Sequence, residues 1–267
     1  MLKIIVVGAA GRMGRHLVSC ITRAADMTLC GAVEYSESPF LNQDAGAVAG
    51  ISPVGVNITS DLAEIIENAD AIIDFSTGNV IENAELAVKN GAAVVIGTTA
   101  LSETETGKLQ KMAAENGKIV LAPNMSVGVN LLFHLTEKVA ALLNDYDIEI
   151  VEMHHRRKKD APSGTAVRLG ECAAAGKDLS YSDNVVHGRN GIVGERTDNE
   201  IGMHAVRGGD VVGDHTVIFA TDGERVELTH KASSRDTFAM GALKAVRFLM
   251  NSNAGFYDMQ DVLGLKN

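Results

Sequence analysis

The sequence is poor in cysteine, with only Cys20, Cys30 and Cys172 among its 267 residues. An odd number of cysteines at wide spacing fits neither a disulfide framework nor a zinc site. We therefore interpret all three as small buried hydrophobic side chains.

Positive charge is also scarce, since 24 Lys and Arg stand against 34 Asp and Glu and give a formal net charge of −10. Such a field repels nucleic acid and acidic membrane surfaces, so neither is an expected partner. An anionic substrate would need a local basic site in this chain.

Long apolar runs are missing too, and none reaches the roughly 18 to 20 residues of a membrane span. The first residues lack the basic start, apolar middle and cleavage site of a signal peptide. We therefore expect a cytoplasmic protein. Hydrophobic residues make up 46% and charged residues 22%, as in packed globular proteins. The length suits one large or two modest domains.

Short β-branched apolar runs alternate with longer segments of helical periodicity from residue 2 to about 124. This alternation is typical of βαβ units around a parallel sheet. The apolar runs look like strands covered on both faces. The predicted strands are 3–8, 29–34, 56–59, 71–75, 93–97 and 119–122, the predicted helices are 12–25, 61–68, 80–90 and 103–116, and 35–55 is predicted to be an irregular loop.

The pattern changes after a predicted helix over 127–143. Residues 147–153 alternate as a strand, and 202–231 contain three strand-like runs separated by turn signals at 207–210 and at Asp222-Gly223, which favour antiparallel hairpins. A helical pattern over 236–250 suits packing on the first sheet. We therefore predict an α/β protein. Its domains are a Rossmann-like dinucleotide-binding domain over 1–125 and 234–267 and an inserted α+β domain over 126–233.

A glycine-rich turn, Gly8-Ala9-Ala10-Gly11-Arg12-Met13-Gly14, joins the first strand to the first helix. Glycines there permit a tight turn, and the helix amides can face a pyrophosphate. Glu34 lies twenty residues further on, where an acid can accept hydrogen bonds from ribose hydroxyls. Alone, these residues also fit an ordinary turn and an exposed acid. The strand ends Gly97-Thr98-Thr99 and Ala122-Pro123-Asn124-Met125 favour a cofactor cleft.

The most informative segment is 152–166. A strand pattern ends in His154 and His155, a cationic loop follows, and a helix begins near Ser163. Concentrated positive charge suits the capture of carboxylates, and helix amides can bind an anion. The alternative is a solvated basic loop, but paired histidines titrate near neutral pH and favour a functional site. A metal site is not expected, because adjacent histidines on a strand point to opposite faces.

Several motifs, in order along nearly the whole chain, resemble the dihydrodipicolinate reductase family. A shared nucleotide-binding fold would account for the glycine turn alone, whereas the segment from His154 to Thr165 is highly specific. The resembling motifs are residues 8–14, 97–99, 124–130, 154–165 and 229–235.

This resemblance implies an NAD(P)H-dependent oxidoreductase of lysine and diaminopimelate biosynthesis. It would reduce a cyclic imine dicarboxylate, formed from aspartate semialdehyde and pyruvate, to tetrahydrodipicolinate. By resemblance His154 is the acid/base residue and Lys158 a proton donor that contacts substrate. The implied substrate contacts are His155, Gly164 and Thr165. The implied cofactor contacts are Gly8, Ala9, Ala10, Gly11, Arg12, Met13, Glu34, Gly97, Thr98, Thr99, Ala122, Pro123, Asn124 and Met125.

The resemblance also implies a homotetramer joined through an open sheet of the inserted domain. Val211, Val217 and Phe219 are apolar residues that could cover such a face. The other possibility is that helices of the same chain cover it.

Two positions depart from the family pattern. Tyr35 follows Glu34 where some relatives place an arginine suited to a 2′-phosphate, and Thr77 stands where relatives have a basic residue. Arg12 remains a candidate for reaching such a phosphate. We nevertheless expect NADH to serve at least as well as NADPH.

Two other functions remain open on the residues. One is a different dehydrogenase of the aspartate pathway on the same nucleotide fold, and the other is a non-catalytic dinucleotide-sensing regulator. A sensor would keep the glycine turn, but it would have no use for paired histidines and a cationic anion site.

Overall fold

The computed structural model describes residues 1–99 and 101–266. Its strands, numbered along the chain, are β1 (Leu2–Val7), β2 (Met27–Val33), β3 (Ile58–Thr59), β4 (Ala71–Asp74), β5 (Ala93–Ile96), β6 (Lys118–Leu121), β7 (Asp147–His154), β8 (Val185–His187), β9 (Ile201–Arg207), β10 (Gly213–Thr221), β11 (Glu224–Ala232) and β12 (Gly255–Tyr257). Its helices are α1 (Arg12–Arg23), α2 (Ala45–Ala49), α3 (Val80–Lys89), α4 (Glu103–Glu115), α5 (Val127–Leu142), α6 (Gly164–Gly176), α7 (Tyr181–Asn184), α8 (Asp236–Met250) and α9 (Met259–Val262).

The chain divides into two compact units. The first unit is Met1–Val127 together with the segment from Arg235 onward, and the second is Gly128–Ser234. None of the helices in the described ranges is long and apolar enough to cross a membrane.

In the first unit, the described residues form one parallel sheet of seven strands in the order β12-β6-β5-β4-β1-β2-β3. From β1 the strands follow one another outward through β2 to β3 at one edge. The chain then returns to β4, on the other side of β1, and continues through β5 and β6 towards the opposite edge. This is a doubly wound sheet, so the predicted α/β class is confirmed. Ligands of such sheets bind at the carboxyl ends of the strands, where the order reverses.

Alternate residues of β1 supply the cores on the two faces of this sheet. Ile4 and Val6 pack in a cluster with Leu17 of α1 and Leu243 of α8. Ile5 packs on the other face in a separate cluster that includes residues of α3 and α4. Because successive side chains of a strand point to opposite faces, an all-apolar strand requires helices on both sides.

The predicted helix over 61–68 is wrong. The chain there makes a turn, in which Asp61 Oδ1 accepts a hydrogen bond from Ala63 N at 2.8 Å, and then a single 3-10 turn over Ile66–Asn68. A short helix is stable only where packing supports it, and this segment is too short for packing to stabilise more than one turn. Ile66 of that turn is buried in the core. The predicted loop over 35–55 contains α2, which Asp44 caps.

The second unit has a mixed sheet in the order β11-β10-β7-β9-β8. β10 and β11 form the antiparallel hairpin predicted around Asp222-Gly223. The hairpin predicted at the earlier turn is wrong, because β7 lies between β9 and β10 and pairs in parallel with β9. One face of the sheet packs with α5 and α6 in a single cluster that includes Ile150, Val217 and Phe219. Cys20 and Cys172 are buried, and Cys30 is half-buried.

Candidate active site

The glycine turn brings the amino end of α1 against the end of β1. Gly8 has a φ of 76°, a left-handed conformation that favours glycine. Gly14 lies against the Gly8 carbonyl and the backbone of Ala9, so a Cβ at this position would overlap both. Gly11 and Arg12 are exposed at the start of the helix. The turn thus leaves the helix amides open to a pyrophosphate.

Glu34 follows β2 and reaches the same turn. Its Oε1 accepts a hydrogen bond from Ala10 N at 2.8 Å. The carbonyl of Ala10 accepts a hydrogen bond from Arg15 Nε at 2.8 Å, and the Arg15 guanidinium lies 5.0 Å from the ring centroid of Phe40. Both the backbone N–H and the backbone C=O of Ala10 are therefore hydrogen-bonded. Tyr35, next to the carboxylate, is 63% exposed.

The ends of β4 and β5 carry polar contacts at the same edge. Asp74 is buried and accepts hydrogen bonds from Ser76 N at 2.8 Å and from Asn83 Nδ2 at 2.9 Å. Thr98 Oγ1 donates to Ser76 O at 2.7 Å, and Gly97 packs under the ring of Phe75, where a Cβ would overlap it. A cavity of about 400 Å³ beside these residues is lined by Thr77, Gly78, Asn79, Val80, Ile81, Glu82, Thr98, Thr99, Leu101, Glu105 and Lys108.

The segment after β6 continues this edge. Ala122 N donates to Ile96 O at 3.0 Å, and Asn124 Oδ1 accepts from Ser126 N at 2.9 Å. Met125 is buried, with its carbonyl against Gly241 of α8. The predicted cofactor residues thus follow β1, β2, β5 and β6 at one sheet edge, and their contacts with a cofactor remain a prediction.

The second predicted site is in the other unit, where β7 ends at His154. The burial of β7 alternates, and Glu152 and His154 share the buried face with Ile150. His154 Nδ1 is hydrogen-bonded to Glu152 Oε2. Burial lowers the pKa of His154 below its ordinary value, since desolvation outweighs the opposing effect of the Glu152 carboxylate.

Glu152 is also bound by Arg207 of β9. Arg207 donates from Nη1 to Oε2 at 2.9 Å and from Nη2 to Oε1 at 2.8 Å. Ser163 N donates to Oε1 at 3.1 Å. Although burial alone raises a carboxyl pKa, the hydrogen bonds from Arg207 and His154 outweigh it and hold the pKa of Glu152 below its ordinary value.

His215 of β10 lies beside His154, with ring centroids 5.1 Å apart in an edge-to-face arrangement. Its Nε2 is 3.2 Å from Ser163 Oγ, and that hydroxyl also accepts a hydrogen bond from Ala166 N as the N-cap of α6. Burial, reinforced by the nearby His154, lowers the pKa of His215 to about 3. His215 is therefore a neutral neighbour of His154.

The remaining predicted residues surround this pair. His155 N donates to Val211 O at 2.8 Å, and His155 Nδ1 is buried without a hydrogen-bond partner among the described residues. Lys158 Nζ forms an ion pair with Asp160 Oδ2 at 2.7 Å, which lowers the pKa of Asp160. Gly164 begins α6 and Thr165 follows it, one and two residues beyond the Ser163 cap.

Glu152, Arg207 and His215 belong to the site but were not predicted from the sequence. Glu152 could have been found, because a charged residue two positions before His154 on a strand must share its face. Arg207 and His215 carried no such signal, since their approach depends on the pairing of β9 and β10 with β7. The described part of the chain places no group of three His, Cys, Asp or Glu side chains where they could hold a metal ion.

Comparisons with known proteins match both halves of the chain. The family profile described as "Dihydrodipicolinate reductase, N-terminus" matches residues 2–125, and "Dihydrodipicolinate reductase, C-terminus" matches residues 128–263. The 4-hydroxy-tetrahydrodipicolinate reductase of Syntrophotalea carbinolica is 49% identical over 268 residues and covers all of both chains. The protein of that name from Burkholderia vietnamiensis is 50% identical over 267 residues, covering 99% of this chain and 100% of its own.

Solved structures agree on the fold. The dipicolinate-bound dihydrodipicolinate reductase of Paenisporosarcina sp. TG-14 superposes with a TM-score of 0.78 at 23% identity, over 98% of each chain. GenD2 of gentamicin A biosynthesis, in complex with NAD, gives a TM-score of 0.58 at 13% identity, over 100% of this chain and 87% of its own.

The fold and the matched profiles define a nicotinamide-dependent oxidoreductase. More particularly, the chain belongs to the dihydrodipicolinate reductase family. The residues present fit a dinucleotide, because Gly14 packs α1 directly against Gly8 and Ala9 at the end of β1, and the exposed Gly11 lets a pyrophosphate approach the amides at the start of that helix.

Proposed function

We propose that this chain reduces the cyclic imine dicarboxylate of the dihydrodipicolinate type to tetrahydrodipicolinate, with NADH or NADPH. The observation that carries the proposal is the position of His154, which is buried at the end of β7 directly before the cationic loop and the start of α6. That arrangement suits a substrate that must be held as an anion and protonated. The dihydrodipicolinate reductase of Paenisporosarcina sp. TG-14 binds dipicolinate, a cyclic dicarboxylate, which supports this substrate class.

The bound nicotinamide would supply the hydride, which is delivered to ring carbon C4 while a proton is added at the neighbouring carbon. The chain would orient the substrate, neutralise its carboxylates and provide that proton. His154 and Lys158 are the proposed acid/base residue and proton donor, and His155, Gly164 and Thr165 the proposed substrate contacts. General acid catalysis is worth on the order of 10² to 10⁴ in rate.

Lys158 is held by Asp160, so a substrate carboxylate would take the place of the Asp160 carboxylate on the ammonium group. Asp160 is exposed at this ion pair, with 60% of its side chain accessible. Exposed ion pairs contribute little free energy, typically 0.2 to 1 kcal/mol, so the exchange is easy.

The decisive assay mixes the protein with reduced cofactor and freshly generated cyclic substrate and follows the nicotinamide absorbance. Oxidation that depends on the cyclic substrate supports the proposal. Oxidation with another intermediate of the aspartate pathway, but not with this one, would indicate a different dehydrogenase. Cofactor binding without turnover on any of them would indicate a sensor.

For the cofactor, we propose that NADH serves at least as well as NADPH. Glu34 is placed at the glycine turn, where a carboxylate favours a free 2′-hydroxyl and repels a 2′-phosphate. Tyr35 brings no cation to offset that repulsion. Arg12 and Arg15 are the arginines at the start of the adjoining helix.

For the assembly, we propose a homotetramer in the cytoplasm, with residues 126–233 as the substrate-binding and oligomerisation domain and the rest binding the dinucleotide. The predicted place of Val217 and Phe219 at this interface is wrong, because α5 and α6 of the same chain cover both side chains. The opposite face of the sheet, which includes Val151 and Ile218, is half-exposed in one chain. Light scattering at micromolar concentration tests the proposal, and a monomeric mass would contradict it.

A further inference from the structure

The carboxylate of Glu152 is completely enclosed by hydrogen-bond donors. The side chain is 0% exposed. Oε1 accepts from Ser163 N and Arg207 Nη2, while Oε2 accepts from Arg207 Nη1 and is paired with His154 Nδ1. Each oxygen thus has two nitrogen partners, the number that its lone pairs accept.

This environment determines which nitrogen of His154 carries the proton. Arg207 stays charged and the Ser163 amide is only a donor, so Glu152 must be an ionised acceptor. The contact between Glu152 Oε2 and His154 Nδ1 is therefore a hydrogen bond only when Nδ1 is protonated and donates. The other ring nitrogen, Nε2, is then the one that gains or loses a proton. It lies beside Gly213, where an added Cβ would be 3.0 Å away.

The other charged and titratable groups around His154 do not compete for this hydrogen bond. His215, from β10, is neutral and bonded to Ser163 Oγ. Lys158, from the loop, is paired with Asp160. Lys158 and Arg207 act on His154 through their charge and favour its neutral form.

Glu152 also connects His154 to the anion site. The Ser163 amide that it accepts belongs to the N-cap of α6, and the Ser163 hydroxyl caps the helix by accepting from Ala166 N at 3.2 Å. Gly164 and Thr165, the proposed substrate contacts, follow immediately. One carboxylate therefore orients the proton-transfer group and the backbone that would hold the substrate anion.

We propose that Glu152 is a positioning residue for the reduction: it holds Nδ1–H of His154 so that Nε2 exchanges the proton with the substrate, and Arg207 keeps its carboxylate ionised. This inference rests on the proposed function for its catalytic consequence. The tautomer of His154 is a separate property of the free protein.

The direct test is nitrogen NMR of the ¹⁵N-histidine-labelled full chain at a pH where His154 is neutral, with the resonances assigned by comparison with His154→Gln. We expect protonated Nδ1 and unprotonated Nε2. The opposite tautomer would overturn the proposal, and this measurement needs no Glu152 variant to fold. A chain with the expected tautomer but no reductase activity would contradict the proposed function and leave the positioning role standing.

The catalytic test is Glu152→Gln. The glutamine oxygen is best placed at the Oε1 position, where Ser163 N and Arg207 Nη2 both donate, so its NH₂ group would lie at the Oε2 position against Arg207 Nη1 and His154 Nδ1 and favour the other tautomer. We expect kcat to fall about 100-fold or more, as expected when a general acid is misplaced. The limb of the pH profile set by His154 should move to lower pH, because the carboxylate that stabilises the imidazolium is lost.

Glu149→Gln is the matched control. Glu149 lies three residues earlier on β7, on the opposite face, and also binds arginines, Arg189 and Arg196. We expect this variant to lose stability but to keep the kcat and pH profile of the parent. A kcat within threefold of the parent and an unchanged profile in Glu152→Gln would overturn the proposal, as would equal kcat losses in both variants.

Discussion

The amide of Ala10 donates a hydrogen bond to the carboxylate of Glu34 at 2.8 Å. The acid that follows β2 is therefore already in contact with the glycine turn. In the proposed function, a ribose bound at this turn would meet a carboxylate whose position is set by the protein.

Tyr35→Arg should improve the use of NADPH relative to NADH, because an arginine beside Glu34 can form a charge-assisted hydrogen bond with a 2′-phosphate. The expected gain is about 1 to 3 kcal/mol. The measurement is kcat/KM for both cofactors in parent and variant. A parent that prefers NADPH tenfold or more would show that Arg12 or Arg15 already neutralises the site, and Arg12→Ala and Arg15→Ala would then identify which.

Gly14→Ala should destabilise the protein and weaken cofactor binding, because its methyl group would overlap the Gly8 carbonyl and the Ala9 backbone. Overpacking of this kind costs about 1 to 3 kcal/mol. Gly107→Ala is the control, since Gly107 is an exposed residue of α4 with open space around it; it should stabilise by about 0.5 to 1 kcal/mol. Urea unfolding and cofactor titration would measure both, and equal behaviour of the two variants would refute the packing argument.

His154→Ala and Lys158→Ala should each lower kcat by about 10² to 10⁴ while leaving the dissociation constant of the cofactor nearly unchanged. The reason is that both residues belong to the second unit, whereas the predicted dinucleotide contacts belong to the first. Lys159→Ala, at the exposed neighbour in the same cationic loop, is the control. Near-normal turnover in either active-site variant would remove that residue from the mechanism.

Thr165→Val should mainly raise the KM for the cyclic substrate. A contact to a substrate carboxylate is made in both the ground state and the transition state, so its loss weakens binding uniformly. Steady-state kinetics over a wide range of substrate concentration distinguish a higher KM from a lower kcat. A defect confined to kcat would assign Thr165 a different role.

Glu149→Gln should reduce stability in a pH-dependent way. Burial opposes ionisation of Glu149, but hydrogen bonds from Arg189, His204 and Arg196 outweigh it and lower its pKa from 4.5 to about 2. A lowered carboxyl pKa stabilises the folded state fully above pH 4.5, and that stabilisation, at most about 3 kcal/mol, is lost as the pH falls towards 2.

Urea unfolding of parent and Glu149→Gln at pH 7 and pH 4 would test this, since the difference in free energy of unfolding should shrink at the lower pH. Glu227→Gln is the control, because its ion pair with Arg225 is exposed and should contribute less than about 1 kcal/mol. If the difference in free energy of unfolding between the parent and Glu149→Gln grew at the lower pH, Glu149 would not have the lowered pKa assigned to it.

The sequence predicted most strands of the first sheet because those strands are almost entirely apolar. Residues 71–73 and 93–96 are continuous apolar runs rich in β-branched residues, which is typical of strands buried on both faces. Short strands were missed because they have too few apolar residues to form a recognisable pattern. β12 has three half-buried residues, and only its pairing with Lys118–Leu121 makes it a strand.

The candidate site divides in the same way. His154 and Ser163 could be selected from a local pattern, because a strand, a basic loop and a helix start adjoin in the chain. Arg207 could not, since it reaches Glu152 across 55 positions and through the parallel pairing of β7 with β9. Side chains that are brought together by sheet register carry no local signal in a single sequence.

The placement of α8 and β12 also has a consequence for biosynthesis. Leu243 and Val246 of α8 complete the core beneath β1 and α1, and β12 forms the edge of the first sheet beside β6. The core of the first unit therefore cannot be completed until the last part of the chain has been synthesised. The sheet of the second unit, by contrast, is complete by Ala232. Because domains fold as units during translation, the middle of this chain can reach its native state before the two ends meet. The nascent protein thus matures from the inside outward.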